Sequence, residues 1–252
     1  MKPLTLARDL QRRKARDRLG LFVAEGVRAV EELLRSPLAV RGVLLGPALA
    51  DAPRGDELRQ LIEARGIPIT AVSEPEFDSA AGTDAPQGVL AIGEVPQRTL
   101  ASIELPTTAR ILLLDAIQDP GNAGTLLRTA YALGVTVTFA LPGTVDLWNA
   151  KVVRSAMGAL FHRPPVSTTW ELLDVFLRER NVALWGADTA GEPIDELSAP
   201  PRLALVVGNE GSGLSAQARS RLERVVTIPV EPGVDSLNVA VAAGIVLHRI
   251  RP

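Results

Sequence analysis

The sequence predicts an α/β protein in two parts: a small α/β sandwich over residues 1–97, and a mostly parallel sheet with helices on both faces over residues 109–252. Three observations predict it. From Ala109 onward, short apolar runs alternate with segments of helical period, the pattern of consecutive strand–helix units. Three of those runs pass into loops rich in glycine and asparagine, as strands do at the carboxyl edge of an open parallel sheet. Between the two parts, Pro96 to Thr108 has the turn residues and weak periodicity of a linker.

The first part begins helical and basic, with Lys2, Arg8, Arg12, Arg13, Lys14, Arg16 and Arg18 set against Asp9 and Asp17. Phe22 to Leu34 reads as a helix with a strand-like entry, and Val40 to Leu45 as a strand. Asp56 to Arg65 reads as a helix closed by Gly66 in the helix-stop position. Ile67–Val72 and Gly88–Ile92 complete the part as strands. In the second part strands are predicted at 110–114, 135–140, 182–186, 203–207 and 225–228, with helices at 122–133, 149–158, 170–179, 215–222 and 237–249. Asp119-Pro120 breaks the first of these strands, Gly121 turns the chain and Asn122 starts a helix. Ser215 and Ser236 suit helix N-caps. The helix after Ser236 is apolar on nearly all sides, which predicts burial in a core or an interface.

Composition narrows the chemistry. An apolar fraction of 46% is ample for a buried core. The absence of cysteine excludes disulfides, thiol nucleophiles and thiolate metal sites. His162 and His248 are too few and too scattered for a zinc cluster, so no metal is expected. The start lacks a secretory signal pattern and no long uninterrupted apolar run occurs, so a cytoplasmic protein without a membrane span is expected. A net charge of −2 does not announce a nucleic-acid binder, but its distribution gathers cations at the start of the chain. That run admits two readings, a solvated helix face or a surface that contacts phosphates.

The loops carry the chemistry. Gly208-Asn-Glu-Gly-Ser-Gly213 lacks the Gly-Lys-Ser/Thr ending of a triphosphate loop, and its glycines are not spaced or placed as in the dinucleotide fingerprint. It reads either as a loop that a nucleoside approaches closely or as a plain strand–turn–helix corner. Asn238, an amide in the first turn of an apolar helix, points to a polar site, because a buried amide needs partners. Thr125, Arg128 and Thr129 form a polar strip opposite Leu126, Leu127 and Ala130, either solvated or functional.

Together these stretches resemble the SpoU/TrmH branch of the SPOUT RNA methyltransferases. The resemblance rests on Asp119-Pro-Gly-Asn-Ala-Gly-Thr-Leu-Leu-Arg-Thr129, Gly208-Asn-Glu-Gly-Ser-Gly-Leu-Ser215 and Ile228-Pro-Val-Glu-Pro-Gly-Val-Asp-Ser-Leu-Asn-Val-Ala-Val-Ala242, in that order. Lys151 to His162 also looks like the family, and Phe22–Arg28 with Pro86–Val89 looks like the substrate-binding domain often placed before it. Val230 stands where the family often has Met, and Asp235 where Glu is common; neither removes a required group.

The resemblance implies a SPOUT-type sheet with a C-terminal trefoil knot, which periodicity alone does not show. It implies S-adenosylmethionine as methyl donor, a ribose 2′-hydroxyl of RNA as acceptor, and a homodimer whose sites are completed across the interface. Ribosomal RNA of the large subunit is the favoured substrate. Transfer RNA, and a non-catalytic RNA-binding or ribosome-assembly role, are the alternatives. By family position, Asn122, Arg128, Glu210, Ser236 and Asn238 would be catalytic. Gly208, Asn209, Gly213, Ile228 and Leu237 would hold the cofactor, and Arg12, Arg13, Lys14, Arg16 and Arg18 would contact RNA. Arg128 is proposed in the family as a catalytic group, sometimes as a base. A guanidinium is always charged near neutrality, so its expected part is to anchor a phosphate and stabilise the developing alkoxide.

Overall fold

The computed structural model describes residues Lys2–Arg251 and divides into two compact units. One unit joins the chain up to Gln97 with Asp146–His162; the other joins Arg98–Val145 with the chain from Arg163 onward.

The first unit begins with helices α1 (Pro3–Asp9) and α2 (Arg13–Leu19), the second stopped by Gly20 at φ 63°. Strand β1 (Leu21–Glu25) and helix α3 (Val27–Arg35) follow. The expected helix with a strand-like entry is thus a true strand and a separate helix. Gly26, at φ 94°, makes the break, and the Gln87 side-chain oxygen accepts the Val27 amide at 3.0 Å. Two motifs from distant parts of the sequence therefore meet to start one helix. Strand β2 (Val40–Leu45), helix α4 (Gly55–Ala64), strand β3 (Ile69–Ala71), helix α5 (Glu74–Asp78) and strand β4 (Val89–Glu94) complete the run. The sheet order is β1-β4-β2-β3, with only the β2–β3 pair parallel. Phe22 faces Gly93 across the β1–β4 pair; a Cβ at Gly93 would lie 2.5 Å from the Phe22 ring, so only glycine fits.

The second unit opens with β5 (Ala109–Leu114), α6 (Pro120–Ala132) and β6 (Val137–Ala140). Helix α6 starts earlier than Asn122: Asp119 is its N-cap and accepts the Asn122 amide at 2.7 Å, with Pro120 in the first turn, where its missing N–H leaves nothing unpaired. The chain then forms α7 (Ala150–Ser155) and α8 (Ala159–His162), which belong to the first unit. The expected helix over 149–158 is shorter because Met157 (φ 49°) and Gly158 (φ 89°) turn the backbone left-handed. Within the first unit, Trp148 and Phe161 lie against Phe22, with ring centroids 4.6 and 5.6 Å away.

Back in the second unit come β7 (Val166–Ser167), α9 (Trp170–Glu179), β8 (Ala183–Pro193), β9 (Arg202–Val207), α10 (Ala216–Arg219), β10 (Arg224–Thr227) and α11 (Val239–Ile250). All six strands are parallel, in the order β10-β8-β9-β5-β6-β7. The order reverses between β5 and β9, which makes their carboxyl ends the place where a crevice opens. Leu113, Phe139, Val206 and Leu173 are fully buried in one cluster with Trp170 and Phe176 of α9. Helix α10 is a single turn rather than the expected 215–222. Ser215 does cap it, accepting the Ala218 amide at 3.1 Å. The last helix is capped by Asn238, not Ser236: the Asn238 oxygen accepts the Ala240 and Val241 amides at 2.9 and 3.3 Å.

Arg110 fastens the end of this helix. Its guanidinium is buried, donates to the carbonyls of Ile250, Ala109, Pro200 and Pro201, and has its pKa lowered by desolvation. Removing it strands several carbonyls without a donor. Arg110→Met is expected to lower unfolding free energy by about 2–3 kcal/mol. The check is the urea midpoint at unchanged slope, and an unshifted midpoint would show that water replaces the guanidinium without cost.

Candidate active site

Three loops meet at the carboxyl edge. The loop after β5 carries Asp115 to Asp119, the loop after β9 carries Gly208 to Gly213, and the segment between β10 and α11 carries Ile228 to Asn238. A fourth contribution comes from Ala187 to Thr189 in the outer part of β8. The β9 loop, the Ile228–Asn238 segment and the outer part of β8, with Asn122 of α6, line a cavity of about 640 Å³, in the size range of small-molecule sites.

The first two loops are joined by carboxylates. Glu210 accepts the Gln118 amide at 3.2 Å, the Asp119 amide at 3.1 Å and the Asn122 side-chain amide at 3.1 Å. Asn238 in turn donates to the Asn122 oxygen at 2.9 Å. Asn122, Glu210 and Asn238 are therefore one hydrogen-bonded chain linking three loops. Partial burial by itself raises the Glu210 pKa; the bonds from Asn122, from its own backbone and from the Gln118 and Asp119 amides outweigh it and hold the carboxyl below its ordinary value. Deeper in the fold, Asp115 is buried and accepts the Ser215 amide at 2.8 Å.

The glycine-rich loop is held from within. Asn209 and Gly213 exchange backbone hydrogen bonds of 2.9 Å each, and the Asn209 side chain accepts from the Gly211 and Ser212 amides while donating to the Ala116 carbonyl at 3.0 Å. A Cβ at Gly208 would lie 2.3 Å from Gly213 backbone atoms, so the loop's own backbone demands this glycine. Gly213, at φ 68°, turns the chain. Both nonetheless line the cavity, as do Ile228 and Leu237.

The remaining residues expected at the site are placed differently. Ser236 lines the cavity from an exposed loop and caps nothing. Arg128 is exposed on α6, lines no part of this cavity and makes no hydrogen bond or ion pair among the described residues. In the first unit, Arg12 and Arg13 pair with Asp9 and Asp17, whereas Lys14 and Arg18 are exposed and unpaired among the described residues. Arg16 corrects the expectation of a phosphate contact: it is buried, with its guanidinium donating to Asp146 and to the Leu10 and Gln11 carbonyls. Sequence reasoning missed Asp188, which lines the cavity and pairs with Arg219. Its position just past an apolar strand run was the available signal. Among the described residues no cluster of three or more histidine and acidic side chains could hold a metal, and no helix is long and apolar enough to cross a membrane.

The model of the SpoU rRNA methylase family matches residues 109–248, the whole of the sheet that carries these loops. The chain belongs to this family. A second model, the MRM3-like substrate binding domain, matches residues 5–91. The SpoU-family chain is 35% identical to the 23S rRNA (guanosine(2553)-2′-O)-methyltransferase RlmP of Bacillus subtilis, over 97% of its own length and 94% of that protein. It is 34% identical to the 23S rRNA (guanosine-2′-O-)-methyltransferase RlmB of Bordetella pertussis, over 90% and 95%. Among solved structures it resembles the SpoU methyltransferase AviRb from Streptomyces viridochromogenes in complex with AdoMet, with a TM-score of 0.89, 27% identity and coverage of 99% and 96%. The AdoMet-bound rRNA methyltransferase from Sinorhizobium meliloti gives 0.86, 27%, 98% and 94%. This SpoU fold thus agrees with the α/β architecture of its relatives along nearly the whole chain.

The lowered pKa of Glu210 sets a sign for pH dependence. The ionised carboxylate contributes stability above its unfolded value of about 4.3, and that contribution is lost as pH falls through the lower folded value. The stability difference between the wild type and Glu210→Gln should therefore be greatest near neutrality and shrink in acid. Urea unfolding at a series of pH values tests this; a constant difference would mean the carboxylate's charge plays no part.

Proposed function

We propose that this protein transfers a methyl group from S-adenosylmethionine to a guanosine ribose 2′-hydroxyl of large-subunit ribosomal RNA. The observation that carries the reading is the chain Glu210–Asn122–Asn238 set beside the cavity at the sheet's switch point. The cavity suits the cofactor's chemistry. Its lining mixes apolar Leu237, Ile228 and Val246 with open backbone and contains no lysine, which fits a nucleoside that lacks a triphosphate. When bound, S-adenosylmethionine supplies an activated methyl group on a sulfonium. The backbone at Gly208, Ile228 and Leu237 would hold its adenosine and methionine parts. Asn122, anchored by Glu210, and Asn238, anchored by Asn122, would orient the acceptor ribose. With the donor already activated, such positioning carries much of the rate.

Arg219, the one cation that lines the cavity among the described residues, is paired with Asp188, and Arg128 stands outside the cavity. A homodimer would supply a cation that is not so paired. The groove between α6 and α11 exposes Val241 and Ile245 beside Thr125, Thr129 and His248, a mixed surface suited to a second copy. Across such an interface Arg128 is available to the other copy's site, where it stays charged, anchors an RNA phosphate and stabilises the developing alkoxide. A phosphate oxygen or water takes the proton. The trefoil knot of the family belongs to this reading, with the Ile228–Asn238 segment as the threaded part. Lys14 and Arg18 are the phosphate contacts of the substrate-binding unit, which acts in the cytoplasm on structured RNA.

The direct test is incubation with labelled S-adenosylmethionine and ribosomal RNA from a strain lacking the gene, followed by nucleoside identification. A 2′-O-methylguanosine in 23S rRNA is expected; incorporation only into transfer RNA or into a base would overturn the substrate. Arg128→Ala should lower kcat by about 10²–10³-fold, and Arg128→Lys should recover part of it without a new alkaline optimum. A lysine variant at full rate with such an optimum would make residue 128 a base. Replacing Lys14 and Arg18 by Gln should reduce the slope of RNA affinity against salt by about 1–2, while S-adenosylmethionine affinity is unchanged.

A further inference from the structure

We propose that Asp188, held by Arg219 beside the glycine-rich loop, accepts the ribose hydroxyls of the S-adenosyl cofactor. The inference rests on the methyl-transfer reading above, and only on its cofactor.

Asp188 reaches the cavity because β8 leaves its ladder. Strand β8 runs beside β9 up to the pair Ala187–Val207. One residue further along each strand come Asp188 and Gly208, the start of the glycine-rich loop. On the other side, β10 pairs Val225 with Gly186 and then Val226 with Glu192, so residues 187–191 are passed over. Bulges of this kind re-aim side chains and are common beside active sites. This one is fixed in place. A Cβ on Gly191 would lie 2.6 Å from the Val225 carbonyl oxygen, so the strand returns where only glycine fits. The Thr227 hydroxyl donates to the Thr189 carbonyl at 3.1 Å. Among the residues thrown out of register, Asp188 and Thr189 line the cavity.

The carboxylate is aimed. Its Oδ1 accepts the Thr189 amide at 2.7 Å and the Thr189 hydroxyl at 3.3 Å, and its Oδ2 accepts from the Arg219 guanidinium. Arg219 ends α10, which starts at Ser215, whose amide Asp115 accepts. A Cβ on Gly213 would lie 3.7 Å from Asp188 Oδ2 and 3.8 Å from Arg219 Nη2, so the pair stands against the glycine-rich loop. The Asp188 side chain is 15% exposed and that of Arg219 is 49% exposed. An ion pair with so open a cation adds little to stability, so stability does not account for its place.

The chemistry of the pair selects its ligand. A carboxylate offers about four lone pairs; the two from Thr189 and the one from Arg219 leave Oδ2 able to accept again. Arg219 already balances the charge, so the pair presents an acceptor without net charge. That suits a neutral hydroxyl better than an ammonium group, which must compete with the guanidinium. The placement agrees. In dinucleotide-binding sheets the glycine-rich loop follows one strand, and an acid beyond the neighbouring strand takes a ribose hydroxyl. Here β9 and β8 hold those two places. The other acids on the cavity are placed otherwise: Glu210 is committed to the β5 loop and Asn122, and Asp235 lies in an exposed stretch.

Calorimetry on the full-length protein tests the proposal with three ligands. They are S-adenosylhomocysteine, its 2′,3′-dideoxy counterpart, and 5′-methylthioadenosine, which keeps both hydroxyls and lacks the amino-acid end. In the wild type, loss of the hydroxyls is expected to weaken binding by about 10–100-fold, the worth of a hydrogen bond to a charged group. In Asp188→Ala the two S-adenosyl ligands should bind within about threefold of each other, and 5′-methylthioadenosine should weaken by the same factor as S-adenosylhomocysteine. An equal hydroxyl cost in both proteins overturns the proposal. So does weakened S-adenosylhomocysteine beside unaffected 5′-methylthioadenosine, which would assign the carboxylate to the amino-acid end. Asp188→Asn covers the case in which the alanine variant does not fold. It keeps the volume and one oxygen, which the guanidinium claims, so the hydroxyl cost must fall in it too; an undiminished cost counts against the assignment. A wild type that binds none of the three ligands would instead overturn the methyl-transfer reading, and the proposal with it.

Discussion

Two parallel strands that end side by side at a switch point leave their following loops with backbone amides and no neighbouring strand to accept them. In this protein the acceptors are carboxylates on one loop reaching for amides of the other. Asp115, at the end of β5, accepts the Ser215 amide below the β9 loop, and Glu210, on the β9 loop, accepts two amides of the β5 loop. The exchange is reciprocal and fixes the two loops as one body. Everything else at the crevice depends on it: Asn122 is aimed by Glu210, and Asn238 is aimed by Asn122. A network whose members are all satisfied is rigid and specific, and one missing member leaves the next without the partner that aims it.

This arrangement explains why the residues at the crevice are amides and acids rather than a nucleophile and a base. Asn238 does two things at once. Its oxygen caps the last helix, and its nitrogen reaches Asn122, so helix start and site geometry cannot vary independently. Glu210, held ionised by the hydrogen bonds around it, is an acceptor and a poor proton carrier near neutrality. The site is built to place atoms.

The architecture was legible in the sequence because its signals are local: alternating apolar runs, the Asp119-Pro120 break, the glycines at the helix stop. The loops were legible because glycine and asparagine mark turns whatever they bind. What escaped were features set by distant partners. Ser236 and Asn238 are both good caps, and only the position of the helix relative to Asn122 decides for Asn238. Gly208 looked like room for a ligand, yet the nearest intruder on its missing Cβ is the loop's own backbone. Residues 146–162 carry no mark that they pack with a sheet formed before residue 97; the aromatic contacts that seat Phe22 on Trp148 and Phe161 link positions far apart in the chain.

The basic run at the start of the chain carries the sharpest form of this limit. Arg12, Arg13, Lys14, Arg16 and Arg18 are all cationic and differ only in position on one short helix, α2, with Arg12 at its N-cap. A guanidinium on the outward face is solvated or pairs loosely with the acid three or four residues away, and such exposed pairs add little to stability. One turned inward must find several acceptors at once or the fold does not tolerate it. Arg16 finds a carboxylate and two carbonyls, and so becomes part of the frame. Its partner is an aspartate far along the chain that folds into the same unit. A single inward arginine in a basic segment thus belongs to the frame of its unit, while Lys14 and Arg18 on either side of it stay in solvent.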